Sequence, residues 1–184
     1  MTSKLNILLI ALDNTDLSNT LTSISKQTFT NWELFIITFE KTDNISNIIK
    51  NKYQIIEINE KTSIFNFLLS FSSSLSGDFI TLMANCDIND PKRFEKQISF
   101  MNSNNLNICS CLEASMNNNI YEKEALIESN KFIDSDNINS VISASYLPLD
   151  LYTFVLRKNF LIDILPYCTH CIFDSEIDLI LYFL

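Results

Sequence analysis

SGDFITLMANCDINDPKRFEKQISFM, residues 76–101, contains the sequence pattern that decides the fold. An apolar run from Phe79 to Met83 follows a Gly-Asp turn dipeptide and has the length of one buried strand. The polar segment from Ala84 to Asp90 predicts a loop, and Pro91 is typical of a first helical position, with Asp90 as the N-cap. Apolar residues then recur at helical spacing from Phe94 onward. In an α/β domain, a loop between such a strand and helix lies at the carboxyl end of the strand, where ligands bind.

The segments before this stretch predict a parallel sheet. Leu5 to Leu12 is a continuous apolar run, and Trp32 to Phe39 is a second one. Between them, Leu17, Leu21 and Ile24 lie at helical spacing. Two continuously apolar strands joined by a helix are typical of a parallel sheet that is covered on both faces. The remaining predicted elements are a helix at Asn44–Lys52, a strand at Gln54–Ile58, a helix at Ile64–Leu75, a strand at Ile108–Leu112, an irregular segment at Asn117–Asn139 with a short helix at Glu122–Glu128, a strand at Tyr152–Lys158 and a helix at Phe160–Leu165.

The composition limits the class of protein and of partner. The 184 residues are enough for one domain with a substantial core, and 47% of them are apolar. The formal charge of −9 argues against nucleic acid or an anionic membrane as the main partner. No run approaches the roughly 20 apolar residues of a spanning helix, and no signal peptide is evident, so a cytoplasmic location is expected.

The cysteines and the glycine exclude or weaken several kinds of site. Since Gly77 is the only glycine, the chain cannot build a glycine-rich phosphate loop. Five cysteines in a chain without a signal peptide predict reduced thiols. Cys109 and Cys111 could join Cys168 and Cys171 in a zinc site, although scattered buried thiols are the more ordinary interpretation of these spacings.

Several motifs together resemble the family 2 glycosyltransferases of the GT-A type. The central stretch carries Gly77-Asp78-Phe79-Ile80, Asp87, Pro91 and Arg93-Phe94-Glu95-Lys96-Gln97, in the order and spacing of that family. The first half of the chain adds matches at residues 20–29 and 31–34. The resemblance implies one domain over residues 1–184, with a three-layer α/β sandwich around a mostly parallel sheet. Because the chain ends inside the helix expected after Asp178, we also expect this chain to be part of a longer protein.

The resemblance implies a transfer of sugar from a nucleotide-sugar donor to a glycan or lipid acceptor. It also implies a divalent cation, Mn²⁺ or Mg²⁺, in an active protein. The implied roles are Asp87 as metal ligand, Glu176 as the catalytic base, and Thr38, Asp43, Asn85 and Arg157 as nucleotide-sugar contacts. Four of these residues also have a plainer interpretation: Asp87 as an acid near a helix start, Glu176 as a solvated acid, Asp43 as a turn residue and Arg157 as a surface arginine.

The chain departs from the family at two acidic motifs. The two acids of the Asp-x-Asp motif, which holds the cation in the family, fall on Ala84 and Cys86. The side chain of Ala84 has no atom that can bind a metal, and the thiol of Cys86 is a poor ligand for Mg²⁺ or Mn²⁺. A second acidic pair falls on Thr38 and Phe39. The alternative hypothesis is therefore a non-catalytic remnant or interaction module that keeps the GT-A fold and needs no cation.

Overall fold

The computed structural model describes residues 3–11, 16–39, 49, 52–59, 64–85, 87–111, 115–117, 120–122 and 151–168. The elements in chain order are β1 (Leu5–Ile10), α1 (Ser18–Ser25), β2 (Trp32–Thr38), β3 (Tyr53–Glu57), α2 (Ile64–Ser72), β4 (Phe79–Ala84), α3 (Arg93–Asn104), β5 (Ile108–Cys109), β6 (Ser115–Asn117), β7 (Ile120–Glu122), a 3₁₀ turn (Leu151–Thr153), β8 (Val155–Arg157) and α4 (Lys158–Cys168). The predicted helices at Asn44–Lys52 and Glu122–Glu128 lie almost entirely outside the described residues.

Six strands form one sheet in the order β3-β2-β1-β4-β8-β5. The strands β1 to β4 are parallel, with Leu5 opposite both Trp32 and Phe79. Strand β8 runs antiparallel to β4 and β5. The carboxyl ends of the parallel strands therefore lie side by side, and we call this row of strand ends the carboxyl edge. The opposite row, where the same strands begin, is called the amino edge. The predicted mostly parallel sheet is confirmed.

The sheet is the middle of three layers because alternate side chains of each strand enter two separate cores. The first core joins one face of the sheet to α1 and α3, and the second joins the other face to α2 and α4. In β1, for example, Ile7 and Leu9 enter the first core, whereas Leu8 enters the second. Each such fully buried aliphatic side chain contributes about 1.5–3 kcal/mol, so continuous apolar strands are what this architecture requires.

The start of α3 differs from the prediction by two residues. Pro91 and Lys92 form a turn, and the helix begins at Arg93. Asp90 accepts a hydrogen bond from the Lys92 backbone N–H at 2.9 Å, and its carbonyl accepts one from the Arg93 N–H at 3.0 Å. Asp90 therefore closes a turn before the helix, because its side chain reaches the N–H two residues ahead.

Two further predictions are wrong in detail. The segment predicted as irregular, Asn117–Asn139, overlaps a hairpin of β6 and β7, whose short and partly polar strands carry little periodic signal. The predicted strand at Tyr152–Lys158 is divided into a 3₁₀ turn and a short β8, and α4 begins directly after it.

Gly77 is required by the close approach of two strands at the amino edge. A Cβ atom at this position would overlap the Asn6 amide nitrogen and would lie 2.8 Å from the Lys4 carbonyl oxygen. The same turn is fixed by Asp78, whose N–H donates to the Lys4 carbonyl at 2.8 Å and whose carboxylate accepts from the Lys4 N–H at 3.0 Å. The Gly-Asp dipeptide thus joins β4 to β1 at their starts.

Candidate functional site

The carboxyl edge brings together residues that are distant in sequence. Ile10 of β1 lies between Ile37 of β2 and Ala84 of β4, each of them paired with it in the sheet. Thr38 and Asn85 follow directly on either side. The loop of residues 85–92, which we call the acid loop, begins here and leads into α3; its residue Cys86 lies outside the described residues.

Helix α1 and the residues after it hold the acid loop in place. The Thr20 hydroxyl donates to the Asn85 carbonyl at 2.8 Å, and the Gln27 amide donates to the Asp90 carbonyl at 2.7 Å. The Thr28 backbone N–H donates to the Pro91 carbonyl at 2.8 Å. These contacts satisfy loop carbonyls that would otherwise need water or other donors. The residues at 20–29 that match the family motif therefore position the loop.

The buried side chain of Arg93 connects the acid loop to the elements around it. Its side chain is only 8% exposed. The guanidinium donates to the Asn89 side-chain oxygen, to the Gln97 side-chain oxygen at 3.0 Å and to the Tyr152 carbonyl at 2.7 Å. It also donates to the Thr81 hydroxyl at 3.4 Å. One buried side chain thus ties β4, the acid loop, α3 and the 3₁₀ turn together.

Asp87 closes the turn at the end of β4. Its carboxylate oxygen Oδ2 accepts a hydrogen bond from the Ala84 N–H at 2.8 Å, and its own N–H donates to the Ala84 carbonyl at 3.3 Å. The next residue, Ile88, is 58% exposed, so the acid loop presents an apolar side chain to solvent.

The described residues do not by themselves fit a divalent cation. Among them, no group of three or more His, Cys, Asp or Glu side chains could hold a metal ion. Ala84 provides no ligand at the end of β4, and one oxygen of Asp87 is engaged by a backbone N–H. Hard cations such as Mg²⁺ and Mn²⁺ require several oxygen ligands, so this part of the chain offers too few.

The other residues predicted for the site fall in three places. Thr38 lies at the carboxyl edge, but it is only 2% exposed, and its carbonyl accepts from the Ile58 N–H at 2.9 Å. Arg157 lies at the amino edge, where it is paired in the sheet with Phe79 and donates to the Leu106 carbonyl at 2.9 Å. Asp43 and Glu176 lie outside the described residues. The structure thus brings together Thr38, Asn85 and Asp87, and it separates Arg157 from them.

Cys109 and Cys111 lie near Arg93, the residue that supports the acid loop. Burial raises the pKa of the Cys111 thiol, while the Arg93 guanidinium lowers it in part and the Asp87 carboxylate raises it. Burial also raises the pKa of Cys109, and the neighbouring Cys111 adds to this effect. Both groups are therefore protonated thiols near neutral pH. Cys171, which the zinc hypothesis requires, lies outside the described residues.

Sequence reasoning missed the supporting role of Arg93 and Gln97. A signal for it was present, because the two residues are four apart on α3, beside the apolar positions Phe94 and Ile98. The Gln97 amide donates to the Thr153 carbonyl at 2.9 Å and to the Cys109 carbonyl at 3.1 Å. Arg93 and Gln97 of this motif are thus buried structural contacts, whereas Glu95 and Lys96 between them are exposed.

A family model decides the membership of the chain. The model described as glycosyl transferase family 2 matches residues 13–171, which is most of the chain and includes α1, the acid loop and α3. The chain belongs to glycosyl transferase family 2. No curated protein matches the chain significantly.

Solved structures agree with this glycosyltransferase fold. The chain is similar to S. aureus TarS residues 1–349 in complex with UDP-GlcNAc, with a TM-score of 0.58 and 14% identity over 87% of this chain and 47% of that one. A longer TarS structure has a TM-score of 0.56 and 14% identity over 87% of this chain and 29% of that one. The mannosyltransferase PcManGT from Pyrobaculum calidifontis, in complex with GDP-Man and Mn²⁺, has a TM-score of 0.50 and 10% identity over 61% of this chain and 36% of that one.

The chain spans less than half the length of these structures. The similarity shows a GT-A glycosyltransferase fold, with its mixed six-stranded sheet. Among the helices that the structure describes, none has the length and apolar character needed to cross a membrane.

Proposed function

We propose that this family 2 domain binds a nucleotide-sugar at its carboxyl edge and transfers the sugar slowly to a glycan or lipid acceptor. The observation that supports this most is the construction of the acid loop. Thr20 and Gln27 hold it to the first strand–helix unit, and Arg93 holds it to β4 and α3. A loop fixed so firmly at the carboxyl ends of parallel strands is suited to receive a ligand.

The class of donor is proposed from the family and from similar structures. TarS structures are in complex with UDP and with UDP-GlcNAc, and the PcManGT structure is in complex with GDP-Man. For this chain we propose Thr38, Asp43 and Asn85 as the residues nearest the nucleotide-sugar. Arg157 is not included, because it lies at the amino edge with its guanidinium engaged by backbone carbonyls.

The proposed reaction is a displacement at the sugar by an acceptor hydroxyl. The chain must orient the two reactants, and a carboxylate must take the hydroxyl proton as the new bond forms. Glu176 is the proposed base, on the sequence resemblance alone. Because the described residues do not supply a set of cation ligands, the diphosphate leaves with less assistance, and we expect a low rate.

A second candidate is a non-catalytic module that keeps the fold. It is favoured by the end of β4, where the Ala84 side chain has no atom that can bind a metal and the Asp87 carboxylate accepts a hydrogen bond from the Ala84 N–H. In this hypothesis the carboxyl edge keeps its shape and performs no transfer.

Calorimetric titration of purified protein with UDP-GlcNAc and GDP-mannose tests the proposal. Saturable binding of either ligand, together with slow release of UDP or GDP when an acceptor mixture is added, supports the transferase. Binding without any release supports the non-catalytic module. No binding at millimolar concentrations of both ligands contradicts the proposed donor class.

A further inference from the structure

The contact between Asp87 and the end of β4 suggests a role for this carboxylate that differs from metal binding. Two backbone groups of Ala84 are involved. The Ala84 N–H donates to Asp87 Oδ2 at 2.8 Å, and the Ala84 carbonyl accepts from the Asp87 N–H at 3.3 Å. Together they close a turn of four residues, in which the acidic side chain satisfies a main-chain donor at the strand end.

We infer that Asp87 sets the shape of the acid loop by capping β4, and that the loop works without a divalent cation. The part of this inference that concerns ligand binding rests on the proposed function. The part that concerns Asp87 and metal rests on the geometry, the ligand atoms and the charge of the loop, and it does not depend on the proposed function.

The donor set supports this inference. At the end of β4, the side chain of Ala84 is a methyl group, which cannot bind a metal. The next residue, Asn85, has a carbonyl that already accepts from the Thr20 hydroxyl at 2.8 Å, which fixes its direction toward α1. No group of metal-binding side chains is present among the residues that the structure describes. Among the described residues, the only other carboxylate of the acid loop is that of Asp90, and one of its oxygens accepts from the Lys92 N–H at 2.9 Å. These residues therefore offer fewer than the six or so oxygen ligands that the ions prefer.

The charge around the loop supports it as well. The Arg93 guanidinium is buried beneath the loop, where it binds Asn89 and Thr81. Arg93 and Asp87 are also close enough to the Cys111 thiol to shift its pKa in opposite directions. A fixed positive charge in this position makes the site less favourable for a free cation.

Two substitutions of the same residue separate capping from metal binding. Asp87→Asn keeps an oxygen that can accept from the Ala84 N–H but removes the charge. Asp87→Ala removes both. Asp163→Asn, which removes an exposed carboxylate on α4, is the control for net charge. The measurements are the melting temperature and the dissociation constant for UDP-GlcNAc and for GDP-mannose, each in excess EDTA and in millimolar Mn²⁺.

If Asp87 caps the strand, the wild-type dissociation constant changes by less than about twofold between EDTA and Mn²⁺. Asp87→Asn then resembles the wild type and Asp163→Asn in both measurements. Asp87→Ala melts at a lower temperature and binds about tenfold more weakly, a change of about 1.4 kcal/mol. The inference is overturned if Mn²⁺ tightens wild-type binding tenfold or more and both Asp87 variants lose that effect.

The test also separates this inference from the proposed function. If neither nucleotide-sugar binds under any condition, the proposed donor class is wrong. The melting temperatures then decide the role of Asp87. A fall for Asp87→Ala alone, with no effect of Mn²⁺ on the wild type, supports the cap. A wild-type stabilisation by Mn²⁺ that Asp87→Asn abolishes contradicts it.

Discussion

Replacing Arg93 by methionine should destabilise the whole domain, because Arg93 joins four parts of the structure around the acid loop. Methionine keeps most of the apolar stem and removes the guanidinium. The side-chain oxygens of Asn89 and Gln97 then lose a donor, and both residues are buried, at 8% and 4% exposure. The Tyr152 carbonyl also loses a hydrogen bond, of 2.7 Å.

The size of the effect follows from these lost partners. Each buried acceptor left without a donor costs about 1–3 kcal/mol. Part of this is offset, because a methionine no longer requires a charge to be buried. We therefore expect a loss of about 3 kcal/mol in the free energy of unfolding, which is a large part of the roughly 5–15 kcal/mol that stabilises a typical domain.

Urea unfolding followed by circular dichroism measures this change. Lys96→Met is the matched control, since it removes a positive charge from an exposed position on the same helix and should alter stability by less than about 0.5 kcal/mol. Arg93→Lys should also destabilise, because an ammonium group cannot reproduce the planar set of donors. If Arg93→Met were as stable as Lys96→Met, the account of Arg93 as the support of the acid loop would be refuted.

Three other predictions follow from single contacts. Gly77→Ala should lower stability by about 1–3 kcal/mol in urea unfolding, because the new methyl group would overlap the Asn6 amide; unchanged stability would contradict the close approach. The hydrogen bond from Lys4 lowers the pKa of Glu33 below its ordinary value of 4.5, so this pair stabilises the fold above that pH and the contribution is lost as the pH falls through the folded-state pKa. Because the pair is partly exposed, Glu33→Gln should be only about 0.5 kcal/mol less stable than wild type at pH 7. This gap should narrow as the pH is lowered below 4.5, and a gap that did not change with pH would count against the prediction. The Cys111 thiol, whose pKa burial raises, should react with iodoacetamide at pH 8 much more slowly in the folded than in the urea-unfolded protein, as measured by mass spectrometry, and equal rates would show that it is not buried.

The sheet could be predicted from the sequence because its central strands are buried on both faces. Continuous apolar runs such as Leu5–Leu12 and Phe79–Met83 have few other stable arrangements, and their spacing fixed the order of strands and helices. Element ends were less predictable. The start of α3 depends on a hydrogen bond from Lys92 to Asp90, and the hairpin of β6 and β7 has too little apolar pattern to be recognised.

The candidate site could be predicted only as a location. The position of Asn85 and Asp87 at the end of β4 followed from the strand pattern. Their roles depend on hydrogen bonds that the pattern does not contain, such as the one from Thr20 to the Asn85 carbonyl. Arg157 shows the same limit: a short antiparallel strand placed it at the amino edge, and a sequence gives no direction for a strand of three residues.

Nuclear magnetic resonance of ¹⁵N-labelled protein titrated with UDP-GlcNAc and with GDP-mannose tests the central claim most directly. We predict that amide signals shift at the carboxyl edge, at Ala11, Thr38 and residues 84–89, and that those of Asp78 and Lys158 at the amino edge do not. Saturation of these shifts in excess EDTA would agree with binding that needs no divalent cation. Shifts confined to the amino edge, or no shifts at millimolar ligand, would contradict the proposal that this edge of the sheet receives an activated sugar.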